Sequence, residues 1–314
     1  MTLPTSRTLR VAIPDLVSPS YFPAIAAVEL GCFKHEGLDA TIELLFPVTR
    51  TYEELRDGNL DFVAGAAHAP LYVFKDWNGC KLLAALAQHM YWFLVLRKDI
   101  GAKRGDLAAV KGLRIGAAPG PVDGLTRMLV EAGMDPVRDV QIGPVPGTAG
   151  SGVSFGVAAA KALEQGKLDG FWANGMGAEI ALRNGTGTLV LDARRGDGPS
   201  AARDYTFPAL VTTQKKIDEE PAVVAGAVRA LVAAQQALKR EPGLATVAAK
   251  KYFPAAELAL IAELIRRDAP FFDPAISPRT VDALNGFARS MGILAATPVY
   301  DDVVAPGFRH LWKP

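Results

Sequence analysis

Cysteine is nearly absent: the 314 residues hold two, Cys32 and Cys80, and neither belongs to a C-x-x-C pair. That excludes a disulfide framework and a zinc cluster of the usual Cys/His spacing. Both thiols are expected as small buried hydrophobes rather than as a bridge. An excess of one charge is missing too. The 34 basic and 33 acidic residues intermix and leave a net charge of +1. No basic stripe offers itself to a phosphate backbone, so nucleic acid is excluded as a partner. No uninterrupted apolar run has the length of a membrane span. The opening MTLPTSRTLRVAIPDL has no apolar stretch of signal-peptide type before the first strand. The chain is therefore expected to carry no export signal, being either cytoplasmic or processed before its numbering begins. H-E-x-x-H and the dinucleotide fingerprint are both missing, which removes the zinc-protease and dinucleotide-binding motif enzymes.

What is present suits a large core, because half of the residues are hydrophobic. The 30 glycines and 22 prolines are scattered at loop positions and punctuate a globular fold. Short apolar runs at 9–13, 40–46, 62–66, 82–86 and 92–96 read as strands. Helical spacing between them covers 21–33 and 52–57, and another helix begins at 68. The polar stretch 98–111 reads as a connection. Strands at 113–117, 140–142, 168–173 and 189–191 then alternate with helices at 124–132 and 157–165. This is an α/β pattern of mostly parallel sheets flanked by helices. After a strand at 209–213, helices fill 221–238, 242–252, 256–267 and 278–291. Ser277 followed by Pro278 is a helix start. A helical tail of that length is expected to return to the first α/β half.

The strings ELRDGNLDFVAGA (54–66), VKGLRIGAAPG (110–120), ALEQGKLDGFW (162–172) and LVTTQKKIDEEP (210–221), in this order, resemble the type II periplasmic binding proteins. The set is similar to the alkanesulfonate, taurine and aromatic-sulfonate binders of ABC importers, and equally to the thiamine-pyrimidine synthases. The resemblance implies two lobes, 1–97 plus 206–314 and 98–205, each with a mostly parallel sheet. It implies a small polar or aromatic solute held in a cleft by hinge closure, an ABC permease as partner, a monomer, and no cofactor. It also implies a periplasmic location. The pyrimidine synthases depend on a cysteine-rich cluster, which Cys32 and Cys80 do not supply. The alternative reading is a cytoplasmic enzyme, decarboxylase or pyrimidine-synthase-like, with His68 and His89 as acid and base. The two Gly-x-Leu-Asp steps, at Gly58 and Gly166, read as punctuation of the fold.

Ligands of open α/β sheets sit beyond the carboxyl ends of strands. That rule selects Ser20 and Tyr21, with Ser20 either a ligand hydroxyl or a helix cap. It selects Ala67 and His68 after the third strand, and His89, Tyr91 and Trp92 before the crossing, as walls or as core. In the second half it selects Gly120, Pro121, Val122 and Asp123. There the prolines lack donors, the hydroxyl that the family resemblance implies is missing, and Asp123 adds a negative charge or caps the helix. This turn favours a ligand carrying a cation, a hydroxyl or a ring nitrogen over a sulfonate. Trp172 and Asn174 follow a later strand as stacking face and amide contact. Thr148 and Ser151 are possible donors in the loop GTAGSG.

Overall fold

The computed structural model describes residues 8–15, 19–148, 155–253 and 255–313. In chain order it begins β1 (Leu9–Ile13), α1 (Phe22–Glu29), α2 (Cys32–His35), β2 (Ala40–Leu44), α3 (Val48–Arg56), β3 (Phe62–Ala66) and β4 (Cys80–Ala85). Then follow β5 (Phe93–Arg97), β6 (Arg114–Ala117), α4 (Pro121–Glu131), β7 (Gln141–Gly143), α5 (Phe155–Glu164), β8 (Gly170–Ala173), α6 (Gly175–Arg183) and β9 (Gly187–Asp192). The chain closes with β10 (Pro208–Thr213), α7 (Gln214–Glu219), α8 (Pro221–Arg240), α9 (Leu244–Ala249), α10 (Ala255–Asp268), α11 (Pro278–Ser290) and α12 (Tyr300–Val303).

Two units result, Met1–Gln88 with Phe207–Pro314, and His89–Thr206. The first holds a sheet in the order β2-β1-β3-β10-β4, the second a sheet in the order β7-β6-β8-β5-β9. The two sheets share one plan. Three strands run parallel, and the fourth place belongs to the first strand after each crossing, β10 or β5. That strand is antiparallel to both neighbours. The expected boundary at 97/98 is therefore corrected to 88/89. The run at 93–97 is apolar like the strands before it, yet its hydrogen bonds go to β8 and β9. Periodicity reports a strand but not its partner.

The Gly-x-Leu-Asp steps carry the same bonds in both units. Gly58 and Gly166 sit at φ +79° and +67°, the left-handed conformation that ends a helix with little strain in glycine. Asp61 N donates to Arg10 O, and Arg10 N donates to the Asp61 carboxylate at 2.8 Å. Asp169 and Arg114 repeat this pair, with Arg114 N 3.0 Å from Asp169 Oδ2. Each carboxylate also holds a cation from the end of the crossing strand or just beyond it: Lys216 Nζ in α7 2.8 Å from Asp61, and Arg97 Nη1 at the end of β5 3.1 Å from Asp169. Asp61 and Lys216 are both buried, so loss of one partner leaves an uncompensated charge.

Helix α8 packs on α1 and α2. Among the described residues it is the one helix long and apolar enough to cross a membrane, by length and composition alone. More than half of that stretch is buried, as in a core helix. Helix α6 was not expected from the sequence. It packs on α5 where Gly156 and Gly177 meet: a Cβ built on Gly177 falls 2.5 Å from Gly156 O. Around that contact Ala159, Leu163, Phe171 and Ala178 form a core against β5 and β8.

Candidate functional site

Strands β1, β2 and β3 run in one direction, so their carboxyl ends share an edge of the first sheet. Ser20, Tyr21, Ala67 and His68 all lie at this edge, and all are buried. The residue at the cap position of α1 is Tyr21, with no side-chain cap bond, so Ser20 is not the expected cap. The helix start offers few donors. Phe22 N binds Pro19 O, Ala24 N binds Tyr21 O, and Pro23 has no N–H. Ala67 N is bound to Phe207 O at 2.8 Å. His68 opens a 3-10 turn, Ala69–Tyr72, where the sequence suggested a longer helix. Its ring stands edge-on to Phe287, centroids 5.4 Å apart at 83°, and to Tyr72 at 6.1 Å. That packing is of a core histidine, and it gives no support to an acid–base role. Phe46, beyond β2 at the same edge, escaped the sequence reading and is 50% exposed.

In the second unit, Phe93 pairs with both Ala173 and Asp192. The amino end of β5 therefore shares the edge where β6, β8 and β9 end. This brings together His89, Tyr91, Trp92, the turn 118–123, Asn174 and the stretch after β9. Tyr91 and Trp92 are buried with ring centroids 4.8 Å apart. Trp92 meets Trp172 at 6.2 Å and 60°, a T-shaped contact. Helix α4 lies against Trp92 at Gly124, where an added Cβ would reach the ring at 3.4 Å. Trp172 is fully buried and donates from Nε1 to Pro121 O at 2.9 Å, so it ties β8 to the start of α4.

That start is poor in donors. Gly120 stands at φ +88°, a conformation that favours glycine, and Pro121 follows without an N–H. Val122 N binds Ala118 O, and Asp123 N binds Gly120 O. Asp123 lies in the first turn of α4 and does not occupy the cap position, which is Gly120. Asn174 is itself a cap: its Oδ1 accepts from Met176 N at 3.2 Å and Gly177 N at 3.3 Å. The oxygen of the expected amide contact is thus engaged with α6. Thr148 Oγ1 donates to Val145 O, and Ser151 lies outside the described residues.

His89 is the best-defined titratable group of this edge. It adopts φ +67°, uncommon for a residue with a side chain. Arg203 Nη2 lies 2.7 Å from Nε2, and Asp204 Oδ1 lies 2.7 Å from Nδ1. A guanidinium only donates, so Nε2 accepts and Nδ1–H points to the carboxylate. Burial lowers the His89 pKa, and the Asp204 carboxylate opposes that shift. Arg194 was missed by the sequence reading. It is 2% exposed, with its guanidinium carbon 6.0 Å from the Tyr91 ring centroid. Its place just after β9 was a usable signal, since the carboxyl-edge rule covers that strand as well. Cys32 and Cys80 are both free thiols, and burial pushes the Cys80 thiol up to about 12.

The NMT1/THI5 like family matches residues 18–245, more than half of the chain. No curated protein matches it. Among solved structures, the alkanesulfonate-binding protein SsuA from Xanthomonas axonopodis pv. citri bound to MOPS is 14% identical. Its match covers 96% of this chain and 99% of that one, at a TM-score of 0.73. The periplasmic nitrate-binding protein NrtA from Synechocystis PCC 6803 is 15% identical, covering 98% and 87%, at 0.70. The periplasmic aliphatic sulphonate binding protein SsuA from Escherichia coli is 14% identical, covering 98% and 92%, at 0.66. These likenesses show a periplasmic binding protein fold, as the order of motifs suggested, and with the match over 18–245 they place the chain in the NMT1/THI5 like family.

Proposed function

We propose that this chain is the solute-binding component of an ABC importer and takes a small planar organic solute bearing hydrogen-bonding atoms. The observation that carries the reading is the edge of the second sheet. It gathers the Tyr91–Trp92 ring pair, the Arg194 guanidinium and the carboxylate of Asp123. Flat apolar walls with a few polar groups suit a small organic molecule. The helix starts argue against a simple oxyanion. Amides at the beginning of α1 and α4 bind the preceding turn, and each helix has a proline there. A sulfonate or nitrate held mainly by helix N–H groups fits less well than a pyrimidine or an aromatic acid. A permease partner and a periplasmic site of action belong to this proposal, and a cytoplasmic location is its alternative.

The test is a thermal-shift and calorimetric screen with pyrimidines, aromatic carboxylates, taurine and nitrate. A true ligand at 100 times its dissociation constant stabilises by about 2.7 kcal/mol. Pyrimidines or aromatic acids are expected to stabilise, taurine and nitrate not. Asp123→Ala is expected to weaken binding of the best ligand about tenfold, a loss of about 1.4 kcal/mol. Stabilisation by taurine or nitrate alone refutes the reading, as does a panel without effect.

A further inference from the structure

A cavity lies within the first unit. It measures about 520 Å³, inside the range of small-molecule sites. Its walls include Val232, Gln235, Lys239 and Arg240 of α8, together with Phe272 and Trp312. None of these residues belongs to the sheet edges described above.

Gln235 gives the cavity its chemistry. The residue is 1% exposed. Its amide nitrogen donates to Ala85 O at 2.9 Å and Leu86 O at 2.8 Å. Two carbonyl acceptors fix which end of the amide is nitrogen. The opposite atom, Oε1, is buried and accepts no hydrogen bond among the described residues. A buried acceptor left without a donor costs free energy that a bound N–H or O–H recovers. The rim supplies positive charge. Lys239 Nζ donates to Phe272 O at 3.1 Å, which uses one of its three donors. Arg240 is exposed and makes no ion pair among the described residues. The rim's carboxylate, Asp273, is engaged at Oδ1 by Ala275 N. Phe272 and the Trp312 indole add ring surface, and the indole is fixed by its Nε1–H bond to Leu83 O at 3.0 Å.

From this arrangement we infer that the first unit holds an accessory site for a planar aromatic anion that also carries a hydrogen-bond donor. The ring lies against Trp312 and Phe272, the anionic group meets Arg240 and Lys239, and the donor approaches Gln235. The site is independent of the solute site proposed above.

The full chain, labelled with 5-fluorotryptophan, gives one fluorine resonance for each of its four tryptophans. Trp312→Phe assigns the relevant signal by its loss. Three probes separate the contributions: 6-hydroxy-2-naphthoate, 2-naphthol without the anion, and 2-naphthoate without the donor. The Trp312 resonance is expected to shift saturably with 6-hydroxy-2-naphthoate. The apparent affinity is expected to fall at least tenfold for 2-naphthol, and as much for the hydroxynaphthoate with Arg240→Glu. A smaller loss is expected for 2-naphthoate. A Trp312 signal that stays still while those of Trp92 or Trp172 move overturns the inference and leaves the solute site standing. Equal titration of the parent and Arg240→Glu also overturns it.

Discussion

Gly177→Ala puts a methyl group where none fits. The new Cβ would stand 2.5 Å from Gly156 O, 2.8 Å from its Cα and 2.9 Å from its carbonyl carbon. All three are backbone atoms, so no rotamer change relieves the contact. Helices α5 and α6 must separate by about 1 Å to restore ordinary packing distances. A gap of that size forfeits a quarter to a half of the dispersion energy of the atoms facing it. Those atoms belong to the core of Ala159, Leu163, Phe171 and Ala178. The shift also disturbs the Asn174 cap, whose oxygen accepts from Gly177 N at 3.3 Å. Overpacking costs about 1–3 kcal/mol and a lost cap about 1 kcal/mol. The substitution is therefore expected to destabilise the second unit by about 3 kcal/mol. Gly286→Ala is the control, because it lies inside α11 and a Cβ added there meets nothing within 4 Å. It should be neutral or stabilise by up to about 1 kcal/mol. Urea unfolding followed by circular dichroism, with hydrogen exchange of α5 and α6, reads both changes. A Gly177→Ala protein within about 0.5 kcal/mol of the parent refutes the close approach of these helices.

Two further predictions concern charge. The Arg114 guanidinium holds the Asp169 carboxyl at about 2. Because that value lies below the unfolded carboxylate near 3.9, Asp169 contributes stability above about pH 4, and the contribution fades as the pH falls toward 2. The urea midpoint of the parent should fall across this window more steeply than that of Asp169→Asn, and equal slopes would count against the assignment. His89 is expected to be neutral at pH 7 with its proton on Nδ1, since burial lowers its pKa and Arg203 donates to Nε2. Stability tied to the neutral ring is present above about 6.5 and declines as the pH falls below it. Nitrogen-detected NMR of the imidazole reads the tautomer directly, and an Nε2–H form at pH 7 contradicts the geometry.

Legibility in the sequence followed the range of the physics involved. Gly58, Leu60 and Asp61 announce a helix end, a core plug and a strand start within four residues, and Gly166 to Asp169 repeat them. The bonds that explain the aspartates also run to neighbouring strands, yet the local signal sufficed to place them. Partner choice was not local. Nothing in the run 93–97 says that it pairs with β8 and β9 rather than with β4. Helix α6 stayed hidden because Gly175 and Gly177 lower helix propensity, and the value of Gly177 lies in its contact with Gly156, 21 residues earlier. Asn174 was found as a polar residue at the right edge, but its cap is visible only once α6 is known. Arg194 was passed over because arginines are rarely buried, whereas Tyr91 and Trp92 drew notice as rings.

The position of β10 sets an order of assembly during synthesis. Residues 89–206 contain all five strands of their sheet, so that unit is complete in one continuous stretch. The other sheet waits. Until the ribosome has made Pro208–Thr213, β3 and β4 lack the strand that lies between them and expose bare edges. The unit begun first is thus finished last, and a nascent chain halted near residue 206 leaves one closed body joined to an open, self-adhesive one.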